Sequence, residues 1–375
     1  MVSPLALIVL AFLFPELALA GKKQIWDALA AADPHLLAEL RDNGLTPLIY
    51  LQLLGQNQHQ KLPPAFLREF HQDYASSLKT AARQEQAALQ IIRSFNQAKV
   101  DFILLKGADL RLRVYQDQAQ RPMCDLDTLI SRDQLPLTRQ TLAQLGYRLS
   151  PLLTDPRPGV RELFDHELMF EPSSGEGLAI DLHWEIRTVA GFYRLPFPVL
   201  RRRAVLADYQ GLPIKLLSPE HLVIHLCLHM YGDRFDCRQV YYNDLQIVDL
   251  ALALTRLSLN WPQFLKDVAM FQCQAPVLSV LQEMSNILPH AINLMVLSEL
   301  ARYRPKTAER ILLSQKLGYF SNYFAAFSRN PCRYWLSYVA SKLWPSRQYL
   351  AQASGTPSRI AYLKQFLGKI RSEPK

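Results

Sequence analysis

The sequence predicts an α+β fold, with a sheet laid down between residues 96 and 190 and helical regions on both sides of it. Three observations predict this. Short apolar runs such as Phe102–Leu105, bounded by Gly and Pro, are too brief for buried helices and read as strands. A long stretch of helical periodicity precedes them, from Pro63 to Val100. Beyond Leu250 the apolar positions return to helical spacing. The 375 residues, 49% apolar and 20% charged, suffice for a full core. They divide into an N-terminal helical region at 1–95, a core at 96–190, a helical subdomain at 191–300 and a basic, aromatic-rich helical C-terminal region at 301–375.

In chain order, Leu5 to Phe14 is apolar, and Ala18-Leu19-Ala20-Gly21 has the small residues of a signal-peptidase site. Met1 to Pro4 carries no Lys or Arg, however, and Glu16 lies close to the supposed cut. The apolar run is also short for a membrane span. The expectation is a core or docking helix, with a cleaved signal as the alternative. Lys22 to Gln56 reads as two or three short helices, one opened by Asp33-Pro34 and closed by Asn43-Gly44. In the long helix Phe66, Phe70, Tyr74, Leu78 and Ala81 step by three and four, and Leu89, Ile92 and Phe95 continue the face.

The stretch from Val100 to Ile130 organises the rest. An apolar strand stops at Lys106-Gly107, a short helix from Ala108 to Tyr115 follows, and a polar loop ends at Arg121-Pro122. A second strand then carries Asp125 and Asp127 two residues apart, hence on one face. Adjacent carboxylates repel unless a cation or a shared proton offsets the cost. A hard divalent ion such as Mg²⁺ fits, since it takes oxygen ligands and binds substrate phosphates. The Gly107 turn would bring backbone N–H groups near an anion. Two solvated acids at a strand end are the rival reading. Cys124 is expected to be buried on the opposite face.

Ser131 is expected to cap a helix that runs to Leu145 and stops at Gly146, with Tyr147–Leu149 as a strand. After a Pro-rich loop from Pro151 to Gly159, Phe164–Phe170 and Leu178–Trp184 form a hairpin, with Asp181 and His183 on one face and Trp184 in the core. Leu195 to Pro213 reads as irregular. Its Arg201-Arg202-Arg203 is a surface charge run, or alternatively a phosphate clamp. Ser218-Pro219-Glu220 is a strong helix start. That helix spaces His221, His225 and His229 at four-residue steps, which a zinc pair can use. No Glu completes a His-Glu-x-x-His arrangement and the neighbours are apolar, so packed histidines are expected. Helices follow at Trp261–Phe271, Pro276–Leu288 and Ala291–Tyr303.

The net charge of +9 is uneven: from Ala301 onward fourteen Lys and Arg face only Glu309 and Glu373, a local +12, so the remainder carries −3. That end suits an anionic partner or a membrane surface, although it bears no clear nucleic-acid motif. The five cysteines include no Cys-x-x-Cys pair, so neither a zinc knuckle nor a disulfide framework is indicated. There is no Walker loop, no GxGxxG and no GxSxG.

A glycine turn followed by Asp125-Leu126-Asp127 resembles the nucleotidyltransferase superfamily, whose pattern is an apolar strand, a Gly-Ser or Gly-Gly turn, and Asp-x-Asp or Asp-x-Glu. More narrowly, LLKGADL, RPMCDLDTLI and IDLHWEI together resemble the bacterial family of uncharacterised nucleotidyltransferases, across about 95 to 190 and more weakly beyond. The resemblance implies a nucleotidyltransferase-like mixed sheet, with 96–190 as the catalytic core. It implies metal-dependent transfer of NMP from an NTP to an unknown acceptor. Asp125, Asp127 and Asp181 would hold Mg²⁺, or Mn²⁺ in its place, and Asp181 would also serve as base. Lys106, Gly107, Arg121, His183 and Arg238 would bind the nucleotide; His183 alternatively orients Asp181 or fills space, and Arg238 alternatively forms a salt bridge. Ala108 departs from the superfamily pattern and offers no hydroxyl, which leaves the phosphate contact to Lys106 or Arg121. Consumption of NTP implies a cytoplasmic protein, against the alternatives of a signal peptide or peripheral membrane association. Two rival functions are a nucleotide- or partner-binding module without turnover and a membrane-associated accessory factor in envelope polysaccharide assembly.

Overall fold

The computed structural model describes residues 3–14, 27, 29, 33–150, 166–175, 177–189, 191–237, 243–313, 344, 350 and 358–364. The Ala18–Gly21 motif, the Pro151–Gly159 loop, Arg238 and most of the basic C-terminal region lie outside the described residues.

Seven strands form one mixed sheet, in the order β3 (Tyr147–Leu149), β4 (Glu167–Pro172), β5 (Ala179–His183), β2 (Asp125–Ile130), β1 (Phe102–Leu104), β9 (Leu212–Leu216) and β8 (Val205–Tyr209). A separate hairpin joins β6 (Glu185–Thr188) to β7 (Tyr193–Pro196). β2 runs antiparallel to β1 and parallel to β5, while β4 and β5 make the expected antiparallel hairpin.

The alternation along each strand separates the two faces. Leu126, Ile130, Ile180 and Leu182 point to one face, where they pack on Ile91, Ile92 and Phe95 of the helix Pro64–Gln97 and on Leu135 and Leu142 of the next helix. Ile103 and Leu129 point to the other and join a larger core built by the remaining helices. The acids of β2 and β5 lie on this second face. The helix Pro4–Leu13 belongs to the larger core as well. Its Ala6, Val9 and Leu10 are wholly buried, and Ser3, which caps it, donates to Asp244 at the head of the helix Asp244–Arg256. Among the described residues, no helix is long and apolar enough to cross a membrane.

Four expectations need correction. Leu195–Pro213 is not irregular but holds the end of β7, the helix Phe197–Arg202, β8 and the start of β9. Gln210 and Gly211, at φ +51 and +83, form the two-residue turn of the β8–β9 hairpin. β9 then pairs in parallel with β1, so the sheet runs on to Leu216, past the expected boundary at 190. Cys124 is exposed rather than buried, because the ladder begins only at the following residue. The helix expected from Ser131 is divided into a 3₁₀ turn, Arg132–Gln134, and the α-helix Leu135–Gln144.

Candidate active site

The site forms where β1 hands the chain to the helix Lys106–Arg113, beside the acids of β2. Leu105 still belongs to the ladder and donates its N–H to the Asp127 carbonyl at 3.0 Å. Lys106 then turns the chain with φ +43, a left-handed conformation that costs a side-chain-bearing residue about 1–2 kcal/mol. The lysine ammonium donates to Asp127 Oδ1 at 2.7 Å. Gly107 fits a crowded position. A Cβ there would lie 2.8 Å from Met123 Cγ and Sδ and 3.5 Å from Arg121 Nη1. The following Asp109, wholly buried, receives Arg113 at 2.5 Å, and Arg113 also donates to the Leu217 carbonyl at 3.0 Å. This ties the short helix to the chain entering the helix Pro219–Cys237.

Parallel pairing of β2 with β5 sets Asp127 opposite Asp181 and Leu129 opposite His183. Asp125 lies one pleat further along the same face. Asp127 is buried and accepts hydrogen bonds at Oδ1 from both Lys106 and His183 Nε2, the latter at 3.0 Å. Burial alone would raise its carboxyl; Lys106 and His183 more than offset that and hold it well below the ordinary range. Burial and then the Asp127 charge raise Asp125. Asp181 is pushed up to about 6 by burial and by the charges of Asp125 and Asp127. Its Oδ1 is buried without a hydrogen-bond partner. Two of the three acids are thus destabilised by like charge, and one presents an orphaned oxygen. Oxygen donors in that condition fit a divalent cation. Ligand atoms of Asp127, Asp181 and His183 lie within 4.8 Å of one another.

His183 bridges two carboxylates. Its Nε2 meets Asp127, and its Nδ1 lies 3.1 Å from Oε2 of Glu167, its cross-strand partner on β4. Burial disfavours the charged ring, but these two acids raise its pKa overall. It therefore engages Asp127 and Glu167 directly. Reading the sequence did not single out Glu167 or the adjacent His166. For Glu167 the signal lies in the predicted hairpin, because alternate residues of paired strands share a face; His166 precedes the strand and carries no such signal.

Of the expected nucleotide ligands, the structure gathers Lys106, Gly107 and His183 around the acids. Arg121 sits behind the turn with its guanidinium engaged by Asp249, at 2.9 Å from Nη2 and 3.0 Å from Nε. Tyr115 donates to the same carboxylate at 2.7 Å. In the arginine run, Arg201 pairs with Asp101 at 2.7 Å, while Arg203 pairs with Glu220 at 2.7 Å and with Asp267. This favours the charge-run reading over a clamp. His221 and His225 are buried; burial lowers His221 to about 4 and lowers His225 strongly, as packed neutral rings require. His229, half-buried, accepts at Nδ1 from Gln246 at 2.7 Å.

Residues 30–288 match the family model described as "Uncharacterised nucleotidyltransferase". The match spans well over half of the chain, and the chain belongs to that family. No curated protein matches it significantly. Solved structures with similarity include that of the antibiotic-resistance factor ANT(2'')-Ia in solution, at 14% identity and a TM-score of 0.36 over 54% of this chain and 97% of that one. The crystal structure of ANT(2'')-Ia with adenylyl-2''-tobramycin matches at 12% identity and 0.34, over 51% and 98%. An antigenic nucleotidyltransferase-like protein from Paracoccidioides brasiliensis matches at 15% identity and 0.36, over 61% and 96%.

Proposed function

We propose that this member of the uncharacterised nucleotidyltransferase family transfers a nucleoside monophosphate from an NTP to an acceptor hydroxyl or phosphate, with pyrophosphate leaving. The observation that carries the reading is the convergence of Asp125, Asp127 and Asp181 on one sheet face, with an orphaned Asp181 oxygen, beside the Lys106-Gly107 turn. The three acids would hold Mg²⁺ or Mn²⁺, which when bound supplies charge neutralisation at phosphate oxygens. Lys106 keeps its proton and holds a positive charge beside the acids, and its ammonium would turn from Asp127 to a phosphate oxygen when nucleotide binds. Gly107 lets the turn pack closely on Met123, which would hold its backbone N–H groups toward the triphosphate. Asp181, whose Oδ1 has no hydrogen-bond partner, would also take the proton of the acceptor hydroxyl. His183 holds Asp127 in place from the far side. Arg121 steadies the turn rather than binding phosphate, given its engagement by Asp249. An NTP substrate suits a cytoplasmic setting, and the basic residues beyond 301 suit an anionic partner.

The test is incubation with each α-labelled NTP and a cell extract, with pyrophosphate release followed in parallel. Labelling of an extract component, lost in Asp125→Ala and Asp127→Ala proteins that remain folded, is expected. Retained turnover in either variant would refute the assignment. The buried Ala108, which offers no hydroxyl to the phosphates, favours a second reading, a nucleotide-binding module without turnover. Calorimetry showing tight Mg–NTP binding with no pyrophosphate released would support that version.

A further inference from the structure

We propose that His166, Glu167 and His183 form a second metal site, which meets the carboxylate cluster at His183 and is suited to Zn²⁺ or a similar transition metal. The strand pairing creates it. Glu167 opens β4 directly opposite His183, the last residue of β5, and His166 immediately precedes Glu167. Glu167 Oε2 lies 3.1 Å from His183 Nδ1 and 3.5 Å from His166 Nε2. All three ligand atoms fall within 4.8 Å of one another.

Those separations are informative. Ligands about 2.0–2.1 Å from a tetrahedral ion stand about 3.3–3.4 Å from each other. The two measured edges bracket that value. An ordinary hydrogen bond accounts for the shorter edge only, since 3.5 Å is too long for a good N–H···O bond. Two imidazoles and one carboxylate suit Zn²⁺, whereas Mg²⁺ prefers oxygen alone.

A second observation comes from the far side of the His183 ring. A metal-bound imidazole usually donates its remaining N–H to a carboxylate, which fixes the tautomer and the ring plane. His183 Nε2 does this toward Asp127 at 3.0 Å. The inner ligand is held rigidly, with 5% of its side chain exposed, while His166 and Glu167 are 31% and 37% exposed and leave a path for an ion. Three protein ligands also leave a fourth position for water or a substrate oxygen. Such an ion would pin β4 to the face that carries the acids.

The experiment uses the tag-free full chain, stripped of metal and titrated with Co²⁺ in excess Mg²⁺ without nucleotide. Visible absorption reports coordination, and elemental analysis reports Zn²⁺ retained after dialysis. An equivalent of Co²⁺ with d–d bands is expected, lost in His166→Ala. Glu167→Gln should weaken binding by more than about 100-fold, whereas Asp127→Asn, which only removes the charge of the outer partner, should weaken it about 10–100-fold. Circular dichroism checks that each variant folds, and Glu167→Gln preserves side-chain shape. Failure of the wild-type chain to take up Co²⁺ or Zn²⁺, or uptake unchanged in both His166→Ala and Glu167→Gln, would overturn the proposal. The readout needs no NTP, so it stands or falls apart from the nucleotidyl-transfer reading.

Discussion

Asp181→Asn should abolish transfer yet stabilise the metal-free protein. Asp181 is half-buried, its Oδ1 lacks a partner, and burial together with Asp125 and Asp127 lifts its carboxyl to about 6. An unfolded aspartate titrates near about 3.9. As pH rises the unfolded state therefore loses this proton first. The resulting penalty on the fold is absent below pH 4, grows between about 4 and 6, and is complete above that. Proton linkage puts it at about 3 kcal/mol, and solvent screening at a partly exposed group reduces it to about 1–2 kcal/mol. Asparagine removes the charge and can donate its amide to the neighbouring acids. With a urea slope of about 3 kcal/mol/M, the unfolding midpoint should rise by about 0.5 M at pH 8 in EDTA. The gap should vanish at pH 4, and it should close or reverse when Mg²⁺ is added, because only the wild-type cluster gains the ion. Earlier unfolding of Asp181→Asn at pH 8 in EDTA, or a difference independent of pH, would refute the reasoning.

Three further outcomes follow from the surroundings of the acids. Gly107→Ala should lower kcat/KM for NTP about 10–100-fold by displacing the turn against Met123, and adding Met123→Ala should restore part of the loss in the same assay. Asp249→Asn leaves the largely buried Arg121 guanidinium without its counter-charge and should cost about 2–4 kcal/mol in urea unfolding, against about 1 kcal/mol for Tyr115→Phe. Lys106→Met releases Asp127 from its ammonium partner. Mn²⁺ should then bind about tenfold tighter without nucleotide, equal to about 1.4 kcal/mol by electron paramagnetic resonance, while the KM for NTP rises.

Much of the site was legible because its signals are local. The two-residue step from Asp125 to Asp127 fixes a shared face on any strand, and the apolar spacing around Phe66 and Phe70 marks a helix wherever it packs. The parts that were not legible depend on distant pairing. Arg121 and Asp249 are 128 residues apart, so nothing near Arg121 announces that its charge is already engaged. Glu167 acquires its role only once β4 is laid against His183. The β8–β9 hairpin was hidden because Gln210 occupies a left-handed position usually given to Asn, Asp or Gly. Cys124 escapes the alternation of faces because it stands one residue before the start of its strand.

The most direct measurement is anomalous diffraction from crystals soaked in Mn²⁺ and a non-hydrolysable NTP. A manganese peak shared by the carboxylates of Asp125, Asp127 and Asp181, with the phosphates against the Lys106-Gly107 bend, is the predicted result. Manganese bound elsewhere, with those three side chains empty of metal and nucleotide, would contradict it.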